Sequence, residues 1–156
     1  MITEKEALQK AEAYCSAAER CRSEVEARLA RCETGEPLEQ SAIERIVTHL
    51  QNEGYLCEER YARAFVHDKL HFCKWGRVKI GAALRQKGIP SATIQQALSE
   101  IDQEEYLEIL EGLIASKRNG VRAASEYERA MKLLRFAAQR GFEPSVAGKI
   151  INLSED

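Results

Sequence analysis

Residues 55–101, YLCEERYARAFVHDKLHFCKWGRVKIGAALRQKGIPSATIQQALSEI, have the spacing of three short helices joined by two turns. In the first, Arg60, Arg63, His67, His71 and Lys74 follow at steps of three, four, four and three, which draws one continuous polar face. Tyr61, Ala62, Phe65, Val66, Phe72 and Cys73 lie opposite and are expected to be buried. The basic segment KWGRVK, residues 74–79, is expected to form the first turn. The second helix should stop at Lys87-Gly88, because glycine suits the left-handed conformation just past a helix end. Pro90 and Ser91 restart the chain, with Ser91 as the expected N-cap, and Ile94, Ala97, Leu98 and Ile101 recur at amphipathic helix spacing.

The flanking sequence follows the same plan. Thr3 with Glu6, Ser23 with Glu26 and Ser41 with Glu44 make capping-box patterns that predict three N-terminal helices. Their expected apolar faces are Leu8, Ala11, Cys15 and Ala18, then Val25, Leu29 and Cys32, then Ile43, Ile46, Val47 and Leu50, with Gly54 as terminator. A loop around GEP separates the second from the third. Beyond Ile101, Asp102 with Glu105 opens a helix carrying Tyr106, Leu107, Leu110, Leu113 and Ile114. Ser125 with Glu128 opens another, carrying Tyr127, Met131, Leu134 and Ala138 and ending at Arg140-Gly141-Phe142. Pro144 and Ser145 begin a last helix with Ala147, Ile150 and Ile151.

Placing Gly88 on Gly141 superimposes Leu84–Leu98 on Ala137–Ile151, so that Ile89 meets Phe142 and Leu98 meets Ile151. Helix starts near residues 4, 58 and 103 imply a repeat of about 45 to 55 residues. The expected fold is all-α, with three tandem three-helix repeats at residues 1–54, 55–101 and 102–156 forming an elongated, curved molecule. Each repeat alone is too small to bury a sufficient core, so neighbours must share one.

Composition agrees with slender helices, since 44% of residues are hydrophobic and 31% charged, with only three prolines. No apolar run approaches the roughly 18 residues needed to cross a bilayer, and nothing resembles a signal peptide; a cytoplasmic monomer with no membrane partner is expected. Cys15, Cys21, Cys32, Cys57 and Cys73 are odd in number and irregularly spaced, which suits reduced thiols in a core. The net charge of −2 hides segregation: residues 60–90 carry eight Lys or Arg against one acid, and residues 117–149 carry eight against three. Residues 91–116 have six acids and no base. Such blocks occur on the solvated helices of many proteins, and they also suit a surface that meets an anionic partner.

No phosphate-binding glycine loop, G-x-S-x-G or H-E-x-x-H is present, and neither enzymatic activity nor a cofactor is expected. The nearest approach to a metal set is His67, His71 and Cys73, but Cys73 falls on the opposite helix face and no fourth ligand follows. At Cys57 the neighbouring Glu58 and Glu59 oppose a reactive thiolate. Trp75 within KWGR could stack on an unpaired base, although a lone tryptophan at a helix junction more often packs into a core. The helices around KGIP also suit a helix-turn-helix, yet Ser91–Leu98 contains no Arg or Lys to read bases, so any DNA contact would be to phosphates.

Four segments resemble one family. GYLCEERYARAF (residues 54–65) is similar to a signature of the RecX regulatory proteins in which Gly, an aromatic, an aliphatic and Asp precede an acid, Arg, an aromatic and Ala. WGRVKIGAALRQKGI (residues 75–89) resembles their second signature, ERCRSEVEARL (residues 19–29) their N-terminal segment, and FAAQRGF (residues 136–142) their C-terminal one. Cys57 stands where the family has an aspartate, Ala83 where it has a glutamate, and CETGEPLEQ where it has a shorter turn. The resemblance implies three helical repeats that bind the RecA nucleoprotein filament and restrain its ATPase, strand-exchange and co-protease activities in DNA repair and the SOS response. A nonspecific DNA-binding module that competes for DNA is the alternative. By charge and expected exposure, the partner-binding candidates are Arg60, Arg63, Lys74, Trp75, Arg77, Lys79, Arg118, Arg122 and Arg135.

Overall fold

The computed structural model describes residues 3–31 and 38–153. These form nine helices and, among the described residues, no strand: α1 (Glu4–Ala17), α2 (Arg22–Ala30), α3 (Gln40–Asn52), α4 (Glu58–His71), α5 (Arg77–Gln86), α6 (Ser91–Ser99), α7 (Gln103–Arg118), α8 (Glu126–Gln139) and α9 (Pro144–Leu153). The fold class is therefore all-α as expected, and the helix starts at residues 4, 58 and 103 fall where the sequence pattern puts them. Cys32 and the GEP loop lie outside the described residues.

Two compact units emerge, residues 1–64 with 84–94, and residues 65–83 with 95–156. In the first, α1, α2 and α3 enclose Ala7, Ala11, Cys15, Val25, Leu29, Ile46, Val47 and Leu50. In the second, α7, α8 and α9 pack together, and Tyr106, Leu110, Ile114, Leu133, Ala137, Phe142, Ala147 and Ile151 are buried.

Each unit contains the same joint. In the second, Gly76 N–H donates to Arg140 O at 2.8 Å and Val78 N–H to Gly141 O at 2.9 Å. The unpaired amides at the start of α5 thus meet the unpaired carbonyls just past α8, and each end satisfies the other. In the first unit, Ser23 Oγ donates to Lys87 O at 2.8 Å, and Lys87 Nζ pairs with Glu24 at 3.2 Å. Lys87 and Arg140 each precede a left-handed glycine, Gly88 at φ +82° and Gly141 at φ +92°. Both turns close alike: Ile89 N–H bonds Leu84 O and Phe142 N–H bonds Ala137 O, while the glycine amides bond Arg85 O and Ala138 O.

Backbone meets backbone in the second joint because Gly76 lacks a side chain; a Cβ there would lie 2.5 Å from Gly141 O. Cys21 occupies the matching place in the first joint, where the bridge runs through a hydroxyl instead.

Several local expectations are corrected. Of the N-terminal boxes only Thr3 caps as predicted, its hydroxyl accepting from Glu6 N–H at 3.1 Å. α2 starts earlier, with Cys21 as N-cap and its amide bonded to Glu24 at 3.1 Å; Ser23 lies inside the helix and turns to Lys87. α3 begins at Gln40 after Glu39, so Ser41 is helical too, and Ser91 is the first residue of α6 rather than its cap. Further along, Asp102 and Ser125 cap α7 and α8 as the pattern requires.

On α4, Leu70 completes the buried stripe of Ala62 and Val66, while Phe72, past the end of the helix, is 76% exposed and Cys73 is half-buried. On α8 the buried residues are Leu133 and Ala137, one position before the expected Leu134 and Ala138, and Tyr127 is 77% exposed. The superposition on Gly88 already carried the correct phase, since it sets Ala137 on the buried Leu84.

Three glycine substitutions should order themselves by these contacts in urea denaturation. Gly112→Ala, inside α7 with open space around it, should stabilise by about 0.5–1 kcal/mol. Gly88→Ala, strained but unobstructed, should cost about 1 kcal/mol. Gly141→Ala, both strained and in collision with Lys79, should cost about 2 kcal/mol or more.

Candidate interaction site

The candidate residues divide into those that hold the fold and those that face solvent. Arg60 belongs to the first kind: its guanidinium pairs with Glu19 at 2.6 Å and donates to Gly54 O at 3.0 Å, tying the start of α4 to the chain around it. Arg77 is bound still more closely. It pairs with Glu143 at 2.9 Å, donates to Gln103 at 2.7 Å and lies 3.9 Å over the Tyr106 ring. The Tyr106 hydroxyl accepts from Arg77 N–H at 3.2 Å and donates to Glu143. Only 23% of the Arg77 side chain and 27% of that of Glu143 is exposed.

This network sets the ionisation of its members. Burial, reinforced by the bond to Glu143, pushes the Tyr106 phenol well above its ordinary value. For Glu143 burial acts to raise the pKa, but the Tyr106 hydroxyl, its own backbone amide and Arg77 outweigh it and hold the carboxyl below the usual range.

The candidates that face water form two groups. One is the α4–α5 turn. Lys74 is exposed at its apex with φ +57°, and Trp75, half-buried, has Lys69 Nζ 4.7 Å and Lys79 Nζ 4.5 Å from its ring centroid. Arg77 and Lys79 belong to the first turn of α5 rather than to the loop before it. The other group lines a shallow depression of about 350 Å³ between the end of α7 and the face of α8, where Arg122 and Arg135 are joined by Lys117, Lys132 and Phe136. Arg63 is exposed on α4 and Arg118 half-exposed at the end of α7.

In the sequence Lys117, Lys132 and Lys69 are visible only as charge within a basic block. Lys132 reaches back to Arg122 O at 2.6 Å and to Glu128 at 3.1 Å, a contact set by the fold of the loop between them.

No group of three His, Cys, Asp or Glu among the described residues is placed to hold a metal ion. His67 and His71 stack at 4.4 Å, and His71 Nε2 is occupied by Glu105. Among the described residues, no helix is long and apolar enough to cross a membrane.

Profiles of RecX, second three-helix domain, and RecX, third three-helix domain, match residues 58–98 and 103–151. The chain belongs to the RecX family. Among its relatives, Regulatory protein RecX of Lactobacillus johnsonii is 32% identical over 146 residues, covering 94% of this chain and 52% of that protein. Regulatory protein RecX of Clostridium botulinum (strain Eklund 17B / Type B) is 33% identical over 106 residues, 67% of this chain and 49% of that protein. The chain thus spans about half the length of these two relatives. A crystal structure of RecX from Lactobacillus salivarius superposes with a TM-score of 0.85 at 21% identity, covering 96% of this chain and 95% of that one, which establishes a shared RecX fold.

The Arg77 network makes a stability prediction. Arg77→Ala should cost about 1–3 kcal/mol, because it leaves a half-buried carboxylate without its cation. Glu143 has a folded pKa below its unfolded one, so its contribution is present above the unfolded value near ~4.3 and is lost as pH falls through the folded value. The stability difference between wild type and Glu143→Gln in urea titrations should therefore be larger at pH 7 than at pH 3.

Proposed function

We propose that this chain is a non-enzymatic regulator of the RecA recombinase that binds the RecA nucleoprotein filament in the cytoplasm. There it would limit ATP hydrolysis, strand exchange and stimulated repressor cleavage in DNA repair and the SOS response. Membership of the RecX family carries this reading, together with the name of its relatives as regulatory proteins. The organisation supports it: we take residues 1–54, 55–101 and 102–156 as three repeats, with one joint, at Gly88 or Gly141, inside each compact unit. A series of joined modules is suited to lie along a larger surface and bridge neighbouring subunits. The exposed cations around the α7–α8 depression, Arg122 and Arg135 with Lys117, are suited to acidic groups of such a partner.

The decisive measurement is the rate of ATP hydrolysis by RecA on single-stranded DNA as this protein is added far below the RecA concentration. Inhibition at such ratios indicates action on the assembled filament, since competition for DNA requires comparable amounts. Inhibition only near equimolar ratios, lost on raising the salt, would replace this reading with a DNA-binding module that competes for the strand. The double substitution Arg122→Glu with Arg135→Glu should weaken inhibition at least tenfold while leaving the helical circular-dichroism signal and Tm near wild type. Arg77 is unsuited to that test because it is built into the fold.

A further inference from the structure

Three asparagines occur in the chain, and all three are exposed. Asn52 is the last residue of α3 and is followed by Glu53, and Asn152 lies within α9 and is followed by Leu153. Asn119 differs from both, since it stands just past the end of α7 and is followed by Gly120.

The peptide nitrogen that follows an asparagine can attack the side-chain amide carbon and close a five-membered ring. A side chain on the following residue hinders that attack, and glycine has none. Space at Gly120 is open as well, because a Cβ there would meet nothing nearer than Lys117 O, at 3.8 Å.

The backbone has to turn before the ring can close. Asn119 rests at φ −64° and ψ −26°, and Gly120 N–H is bonded to Lys117 O at 3.0 Å. Rotation about ψ breaks that bond, which belongs to the final turn, where a helix opens most readily. The loop beyond is pinned by other groups: Arg129 Nη1 donates to Val121 O at 3.1 Å, Lys132 Nζ to Arg122 O at 2.6 Å, and Ala124 N–H to Glu128 at 3.0 Å.

Charge favours the same step. Attack requires the Gly120 nitrogen to give up its proton, and the intermediate that follows is an oxyanion. Residues 112–125 contain Lys117, Arg118 and Arg122 and no acid, so the surroundings stabilise negative charge.

We propose that Asn119 is a site of spontaneous deamidation, which places a carboxylate beside the α7–α8 depression. The bond from Gly120 N to Asn119 Cγ forms, the Cγ–Nδ2 bond breaks, and ammonia leaves a succinimide. Water then opens the ring. Breaking the new bond to Cγ yields aspartate, whereas breaking the original peptide bond yields isoaspartate, whose main chain runs through Cγ. One water is consumed and one ammonia released, so no oxidant or enzyme is needed. The product accumulates with the age of the molecule, and each conversion lowers by one the net charge of a surface that includes Lys117, Arg122 and Arg135. The modification is independent of the filament reading, whereas its effect on inhibition rests on it.

The full chain should be held at neutral pH and physiological temperature, cleaved after glutamate, and followed by mass spectrometry. Asn119 then lies in the segment between Glu111 and Glu126, apart from the other two asparagines. Conversion at Asn119 should be at least about tenfold faster than at Asn52 or Asn152, equivalent to about 1.4 kcal/mol in barrier, with both aspartate and isoaspartate formed. Gly120→Ala, whose Cβ has room, should keep the helical circular-dichroism signal and slow the conversion about tenfold. In the RecA ATPase titration, Asn119→Asp should need at least about threefold more protein than wild type for half-inhibition, and Asn119→Gln should match wild type. Conversion at Asn119 no faster than at Asn52 and Asn152, or undiminished in Gly120→Ala, would overturn the site. Wild-type potency in Asn119→Asp would overturn its effect on the depression. Failure of the wild type to inhibit at all would sink the filament reading and that effect together, while the mass measurement still decides the site.

Discussion

The structure depends on helix ends that complete one another. The amides that open α5 have no carbonyls within their own helix, and the carbonyls that follow α8 have no amides. Bringing Gly76 and Val78 against Arg140 and Gly141 removes both deficits at once, and it is possible only because neither glycine has a side chain in the gap. The corresponding place between α2 and the α5–α6 turn uses Ser23 and Glu24 toward Lys87, a looser version that accommodates the buried Cys21. A tyrosine in the first turn of the helix before the one that ends at the glycine turn accompanies each joint: Tyr61 of α4 at Cys21 and Glu24, and Tyr106 of α7 at Arg77. Burial raises the pKa of both phenols above the ordinary value.

These joints decide what the basic residues do. Net charge per segment treats all cations as equivalent, whereas the fold assigns them different work. Arg60, Arg77, Lys87 and Arg140 spend their donors on Glu19, Glu143, Glu24 and Cys73 O. Half-buried in a network with Tyr106, Arg77 is tied to Glu143 and Gln103 within the fold. Those outside these bonds include Lys74 at the α4–α5 turn, Lys69 and Lys79 over the Trp75 ring, and Arg122, Arg135 and Lys117 around the α7–α8 depression.

Much of the fold was legible because its signals are local. Glycine at Gly54, Gly88 and Gly141 marks three helix ends through a backbone conformation that other residues disfavour. Thr3, Asp102 and Ser125 cap their helices as the residue three positions on predicts. The failures are also local in origin. Ser23 and Ser41 have the composition of caps, but Cys21 and Glu39 precede them and the helices start there. On α8 the larger residues Met131 and Leu134 suggested the buried face, whereas close packing near Gly141 admits Ala137 and puts Leu133 inside.

The sequence by itself determined the class of the molecule, the number and order of its described helices and the family to which it belongs. Periodicity, capping and glycine act within one turn of chain, and family signatures are strings of adjacent residues. It could not determine which cations were committed to the fold, because that depends on residues 41 to 66 positions away, such as Glu19 for Arg60 and Glu143 for Arg77. Nor could it show that Phe72 stays in water or that Lys74 turns left-handed. Tertiary structure decided these points, because exposure and pairing belong to the space around a side chain.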